Sequence, residues 1–87
     1  MAKKFFIYDW MTNEKGLSGN ALVMYAYLYE VTKHGELEYT GGHGELAAIM
    51  CTTIPTVYNT MKKLEAQKFI TVEGDGRSDG IIIRLVA

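Results

Sequence analysis

A second cysteine is missing from this chain. The single Cys51 among 87 residues cannot close an internal disulfide, which fits a reducing compartment and points to a cytoplasmic protein. Long apolar runs are missing too, so no segment has the length of a membrane span. The opening MAKKFFIYDWM sets two lysines before apolar residues, as a secretion signal does. However, Asp9 interrupts the run and no small-residue cleavage site follows. An excess of positive charge is also absent: nine Lys and Arg face ten Asp and Glu, with a net charge of −1 and a pI near 6.1. Nucleic-acid-binding domains are usually basic overall or on one face, so any such face here must come from local clustering of a few cations.

Catalytic and ligating patterns are scarce. His34, His43, Glu45 and Cys51 show no zinc-site spacing, so no metal is expected. The Gly41-Gly-His-Gly44 stretch lacks the Lys and Ser or Thr of a phosphate-binding loop, misses the dinucleotide spacing, and reads as a connection between strand and helix. No nucleophile, base and orienting group occur together, and Cys51 is expected to pack in a helix turn. An enzyme and a cofactor are therefore not expected.

Nearly half the residues are apolar, enough for one small core in a single domain over 1–87 without disulfides or metal. Residues 1–16 read as an aromatic N-terminal arm, with FFIY extended or forming an edge strand before a loop through Asn13 and Gly16. Ser18 is placed to cap a helix over ALVMYAYLYEVTKH, Leu17 can staple onto Leu22, and Gly35 supplies a left-handed stop. Leu22, Tyr25, Ala26 and Tyr29 form one stripe, but Val23, Met24, Tyr27 and Leu28 fill much of the remaining circumference. Such a helix needs cover on more than one side, from the arm aromatics Phe5, Phe6 and Trp10, from a second copy of the chain, or from both. The tyrosines Tyr25, Tyr27 and Tyr29 are spaced for packing rather than for stacking on single-stranded bases.

Residues 36–40 alternate polar and apolar, which predicts a short strand broken by Gly41 and Gly42. A helix then starts with Gly42 at its N-cap and Glu45 in its first turn, directing Leu46, Ala47, Ile49 and Met50 inward. Cys51-Thr52-Thr53 makes a turn, Thr53 caps the next helix, and Pro55 fits its first turn because no amide donor is needed there. Val57, Thr60, Met61 and Leu64 fall on its inner face, leaving Ile54, Thr56, Tyr58, Asn59, Lys62 and Lys63 outside. Phe69–Glu73 exits as a strand, Gly74–Gly80 forms a tip, and Ile81–Val86 returns.

The stretch TTIPTVYNTMKKLEAQKFI resembles the recognition helix and wing start of bacterial winged helix-turn-helix regulators: a cap residue, a Pro-Thr-Val triplet and a Leu-Glu pair before an apolar exit. The front of the chain, FFIYDWM followed by LSGNALVMYAYLYE, is similar to the N-terminal domains of plasmid and phage replication initiators and of DnaD-type replisome organisers. The resemblance implies an α+β fold, a winged helix-turn-helix with a three-helix core, a small antiparallel sheet and a β-hairpin wing. The helix-turn-helix would span 43–67 and the wing 70–86. It implies sequence-specific binding of double-stranded DNA, in transcriptional regulation or replication control of a mobile element.

On that pattern DNA contacts fall to Thr53, Ile54, Thr56, Tyr58, Asn59, Lys62, Lys63 and Arg77. The threonine hydroxyls and helix N-terminal amides suit a phosphate, Asn59 an adenine edge, Ile54 or Thr56 a thymine methyl, and the cations the backbone. A homodimer is expected through Tyr25, Leu28 and Tyr29 with the arm residues Phe5, Phe6 and Trp10. Four departures stand out. Cys51 occupies the usual turn glycine, Lys68 the glycine ending the recognition helix, and Asn59 a frequent arginine, while Glu73, Asp75 and Asp79 surround Arg77 at the wing. The acidic wing and near-neutral charge favour the alternative, a protein-interaction module that uses the same surface without DNA.

Overall fold

The computed structural model describes residues 5–74 and 81–86. In chain order these form α1 (Asp9–Asn13), α2 (Gly19–Val31), β1 (Tyr39–Gly41), α3 (His43–Met50), α4 (Ile54–Ala66), β2 (Ile70–Glu73) and β3 (Ile81–Leu85). The class is α+β, with four helices and a three-stranded antiparallel sheet ordered β1-β3-β2. Register pairs Tyr39 with Ile83 on one side of β3, and Ile70 with Leu85 on the other. Alternation along β3 buries Ile81 and Ile83 and turns Arg84 to solvent.

The core forms where the inner faces of the helices meet that side of the sheet. Met24 and Leu28 of α2, Leu46 of α3, and Val57 and Leu64 of α4 are sealed from water with Ile70, Ile81 and Ile83. The inner stripe of α4 is as its period requires, with Val57, Thr60, Met61 and Leu64 all buried. On α3, Leu46 and Ala47 are buried, but Ile49 is 36% exposed and Met50 only half-buried, so this short helix rests on a narrower face than expected.

The N-terminal segment departs most from expectation. Asp9–Asn13 is a helical turn rather than loop, making four helices instead of three. Its start carries Asp9, whose charge suits the positive helix end, and Met11 plugs fully into the core. Residues 5–8 form no regular element and lie outside the sheet, with Tyr8 extended at the start of α1. The arm covers α2 by ring contacts: Phe5 edge-on to Tyr27, Tyr8 to Tyr29, and Trp10 to both Tyr25 and Tyr29. Lys15 closes this layer, its ammonium 4.5 Å from the Phe69 ring centre and also over Trp10 and Tyr25. Tyr25 and Leu28 are thereby buried within the chain, which corrects their assignment to a dimer surface; Tyr29 is half-buried, Phe5 and Trp10 pack inward, and Phe6 stays 59% exposed.

Three helices end in the same left-handed hydrogen-bonded cap, and in none of them is the left-handed residue glycine. After α4, Lys68 at φ 65° donates its amide to the Glu65 carbonyl, while the Phe69 amide donates to Leu64. After α3, Cys51 at φ 56° donates to Ala48, and Thr52 to Ala47. After α2, Lys33 at φ 51° donates to Glu30, and His34 to Tyr29. These paired bonds are the Schellman arrangement, which satisfies carbonyls the helix leaves open. The glycine positions occupied by Cys51 and Lys68 are therefore left-handed in this chain too.

The cap also explains why α2 stops at Val31, before Gly35. Buried Thr32 donates its hydroxyl to the Leu28 carbonyl and accepts the Gly35 amide, fixing the turn from inside. Residues 36 and 37 then lie in a turn rather than in the expected 36–40 strand, and Leu37 is exposed. Pairing begins at Tyr39 and runs through Gly41, which was expected to break it. Gly41 leaves room there: a β-carbon would stand 2.7 Å from the Tyr39 hydroxyl and 2.6 Å from a Glu45 carboxylate oxygen, so those side-chain ends would have to move. Cys51 is exposed, not packed, and Phe69 belongs to the α4 cap, so β2 starts at Ile70.

Candidate nucleic-acid interface

The connection from α3 to α4 is only Cys51–Thr53, and it ends on a well-formed cap. The Thr53 hydroxyl accepts the Thr56 amide at 3.3 Å and donates to the Thr56 hydroxyl at 2.9 Å. The left-handed Cys51 turns the chain so that α4 crosses α3 through buried Ala47, Leu46 and Val57. With its inner stripe buried, α4 shows solvent a face of Ile54, Pro55, Tyr58, Asn59, Lys62 and Lys63. Thr53 is exposed and Thr56 half-buried beside them. The structure brings these seven expected contact residues to one helix; Arg77 lies outside the described residues.

Their chemistry differs along the helix. Tyr58 stands between two neighbours, its ring edge-on to His43 at 5.8 Å and under the Lys62 ammonium at 5.2 Å, which also donates to its hydroxyl at 3.4 Å. Lys62 is thus held at i, i+4 spacing beside an aromatic ring. Asn59 and Lys63 are exposed and make no side-chain hydrogen bond or ion pair among the described residues. The helix N-terminus is a poorer phosphate cradle than the sequence suggested. Pro55 has no amide hydrogen, the Thr56 amide is used by Thr53, and the Val57 amide donates to the Thr53 carbonyl. Only the Ile54 amide is left there for an anion.

A cleft of about 220 Å3 runs between α4 and the β2–β3 side of the sheet, bordered by His43, Tyr58, Lys62, Glu65, Val72 and Ile81. It is smaller than the ~300–1,000 Å3 of small-molecule pockets. In the sequence His43 stands out only as a metal ligand to be weighed and Glu65 only as part of the Leu-Glu pair; the cleft joins residues far apart in the chain, and no periodicity marks it. Across the sheet, Arg84 bridges Glu38 at 2.7 Å and Glu73 at 2.9 Å. The Glu73 hydrogen bond, and then the Glu38 charge, raise its basicity further. This cation is spent on carboxylates, and the exposed sheet face carries a net negative charge in that triad.

A second electrostatic feature sits behind α3. The Tyr39 hydroxyl is sealed from water and makes no hydrogen bond of good geometry, with the Glu45 carboxylate beside it. Burial, then that carboxylate, pushes the phenol well above its ordinary pKa; Tyr27 is raised by the same two causes, and Tyr25 by burial and Tyr29. These tyrosines are packing groups. Among the described residues no cluster of His, Cys, Asp and Glu could hold a metal, and no helix is long and apolar enough to cross a membrane. No known protein family, characterised protein or solved structure matches this chain.

Proposed function

We propose that this domain is a winged helix-turn-helix that binds double-stranded DNA in a sequence-specific manner. In this reading α4 is the recognition helix, and β2 with β3 forms the wing. The observation that carries it is the division of α4. One side is wholly core, while the other presents Asn59, Lys62 and Lys63 beyond a capped, short turn, the arrangement that lays a second helix in a major groove. The motif-level resemblance of residues 52–70 and of the N-terminal segment to regulators and replication initiators suggests a role in transcriptional or replication control of a phage or plasmid. Self-association would place two recognition helices on successive grooves, ~34 Å apart. With Tyr25 and Leu28 buried, it would run through the exposed arm residues Phe6 and Ile7.

The Glu38–Arg84–Glu73 triad favours a second reading, in which the sheet side meets a protein partner and DNA is not bound. A binding selection from random duplexes separates the two. Under the DNA reading it converges on a site, and Asn59→Ala relaxes preference at one position at a cost of ~1–3 kcal/mol. Failure to enrich any duplex leaves the protein-partner reading.

A further inference from the structure

We propose that the tip of α4 recognises thymine by its 5-methyl group, with Ile54 as the residue that determines this preference; the inference rests on the DNA-binding reading above. Several polar groups near the helix tip are already engaged. The Thr53 hydroxyl both accepts and donates within the cap, Thr60 donates to the Thr56 carbonyl, and Lys62 sits on Tyr58. Pro55 offers no donor. What projects instead is apolar: Ile54 is 53% exposed, with exposed Pro55 beside it. The Ile54 δ-carbon lies near the start of α3, 3.9 Å from the point where a β-carbon of Gly44 would stand. No other Ile, Leu or Val on α4 is exposed.

Recognition helices touch base edges with their N-terminal residues, and the apolar group on a major-groove edge is the thymine methyl. An isoleucine there gains nothing against the polar edge of a G·C pair and leaves those groups unpaired. Asn59 lies further along the outward face and can accept and donate to an adenine edge. The tip therefore selects A·T pairs oriented with the methyl toward Ile54. A chain with so few cations needs such contacts more than a basic domain does.

The test takes the duplex recovered by selection and replaces its thymines one at a time by deoxyuridine, which removes only the methyl. Binding is read by fluorescence anisotropy. For the wild type, one or two positions should weaken binding about three- to fivefold each, the weight of one buried methyl group. Ile54→Ala should bind thymine and uracil duplexes equally while remaining folded, with only a small shift in its melting curve because Ile54 is half exposed. Equal binding of the two duplexes by the wild type overturns the thymine inference while leaving DNA binding intact. Binding to no duplex overturns both.

Discussion

Replacing Lys68 by glycine should make this protein more stable, against the usual effect of that substitution. Lys68 holds φ at 65° to complete the cap that lets Phe69 turn from α4 into β2. A side chain in the left-handed region costs ~1–2 kcal/mol because its β-carbon crowds the following carbonyl. Glycine removes that strain but adds freedom to the unfolded chain, which takes back ~0.4–1 kcal/mol. The difference is centred on a gain of about 0.8 kcal/mol; in a domain of this size each kcal/mol moves the melting temperature by ~4–8 °C, so Lys68→Gly should melt about 3–6 °C higher. The exposed ammonium has no hydrogen bond or ion pair among the described residues, so little is lost with it. Lys68→Ala is the control, since it discards the charge and keeps the strain. Thermal and urea unfolding followed by circular dichroism gives the comparison. A glycine variant no more stable than the alanine variant refutes the strained-cap account.

Leu64→Ala should cost ~2–5 kcal/mol, because this α4 side chain is fully buried in the core, and an unchanged urea midpoint would show that the core is placed wrongly. Stability should hold level at neutral pH and fall from about pH 10 upward. The unfolded tyrosines ionise there, while burial keeps Tyr25, Tyr27 and Tyr39 protonated in the folded state, so the unfolded chain binds fewer protons. Tyr39→Phe should flatten that decline and change neutral-pH stability by no more than about 1 kcal/mol, since the hydroxyl it removes lacks a good partner. A steeper alkaline loss in the variant would show that ionisation of Tyr39 is not involved. Sedimentation at micromolar concentration should show a dimer that Phe6→Ser dissociates, and a monomeric wild type would leave the arm as cover for α2 alone.

The second half of the chain was legible because its signals are local and agree with one another. Thr53, Pro55 and the spacing of Val57, Thr60, Met61 and Leu64 specify one capped helix with one buried side, and the structure has it. Cys51 and Lys68 could be placed in left-handed turns only through the resemblance, since neither residue type marks a positive φ by itself. The first half was harder to read for physical reasons. An all-apolar helix gives no facing direction, and the aromatic arm reads as extended chain or loop because its short helical turn is fixed only when Met11 and Trp10 find their places. Gly41 was misread because its role is the absence of a side chain above Tyr39, which only the folded geometry reveals. The outward face of α4 followed from period, but the loss of its amide donors followed from cap geometry that no pattern specifies.

Fluorescence anisotropy of a labelled random-sequence duplex pool, titrated with the protein at low and moderate salt, tests DNA binding by α4 most directly. Roughly three to four phosphates neutralised per protomer predict a log–log salt slope of about −3. Lys63→Ala should weaken binding to all duplexes alike and make that slope shallower by about one. An anisotropy that stays flat at low salt, or a Lys63→Ala variant that binds like the wild type with the same slope, contradicts the placement of DNA on this face of α4.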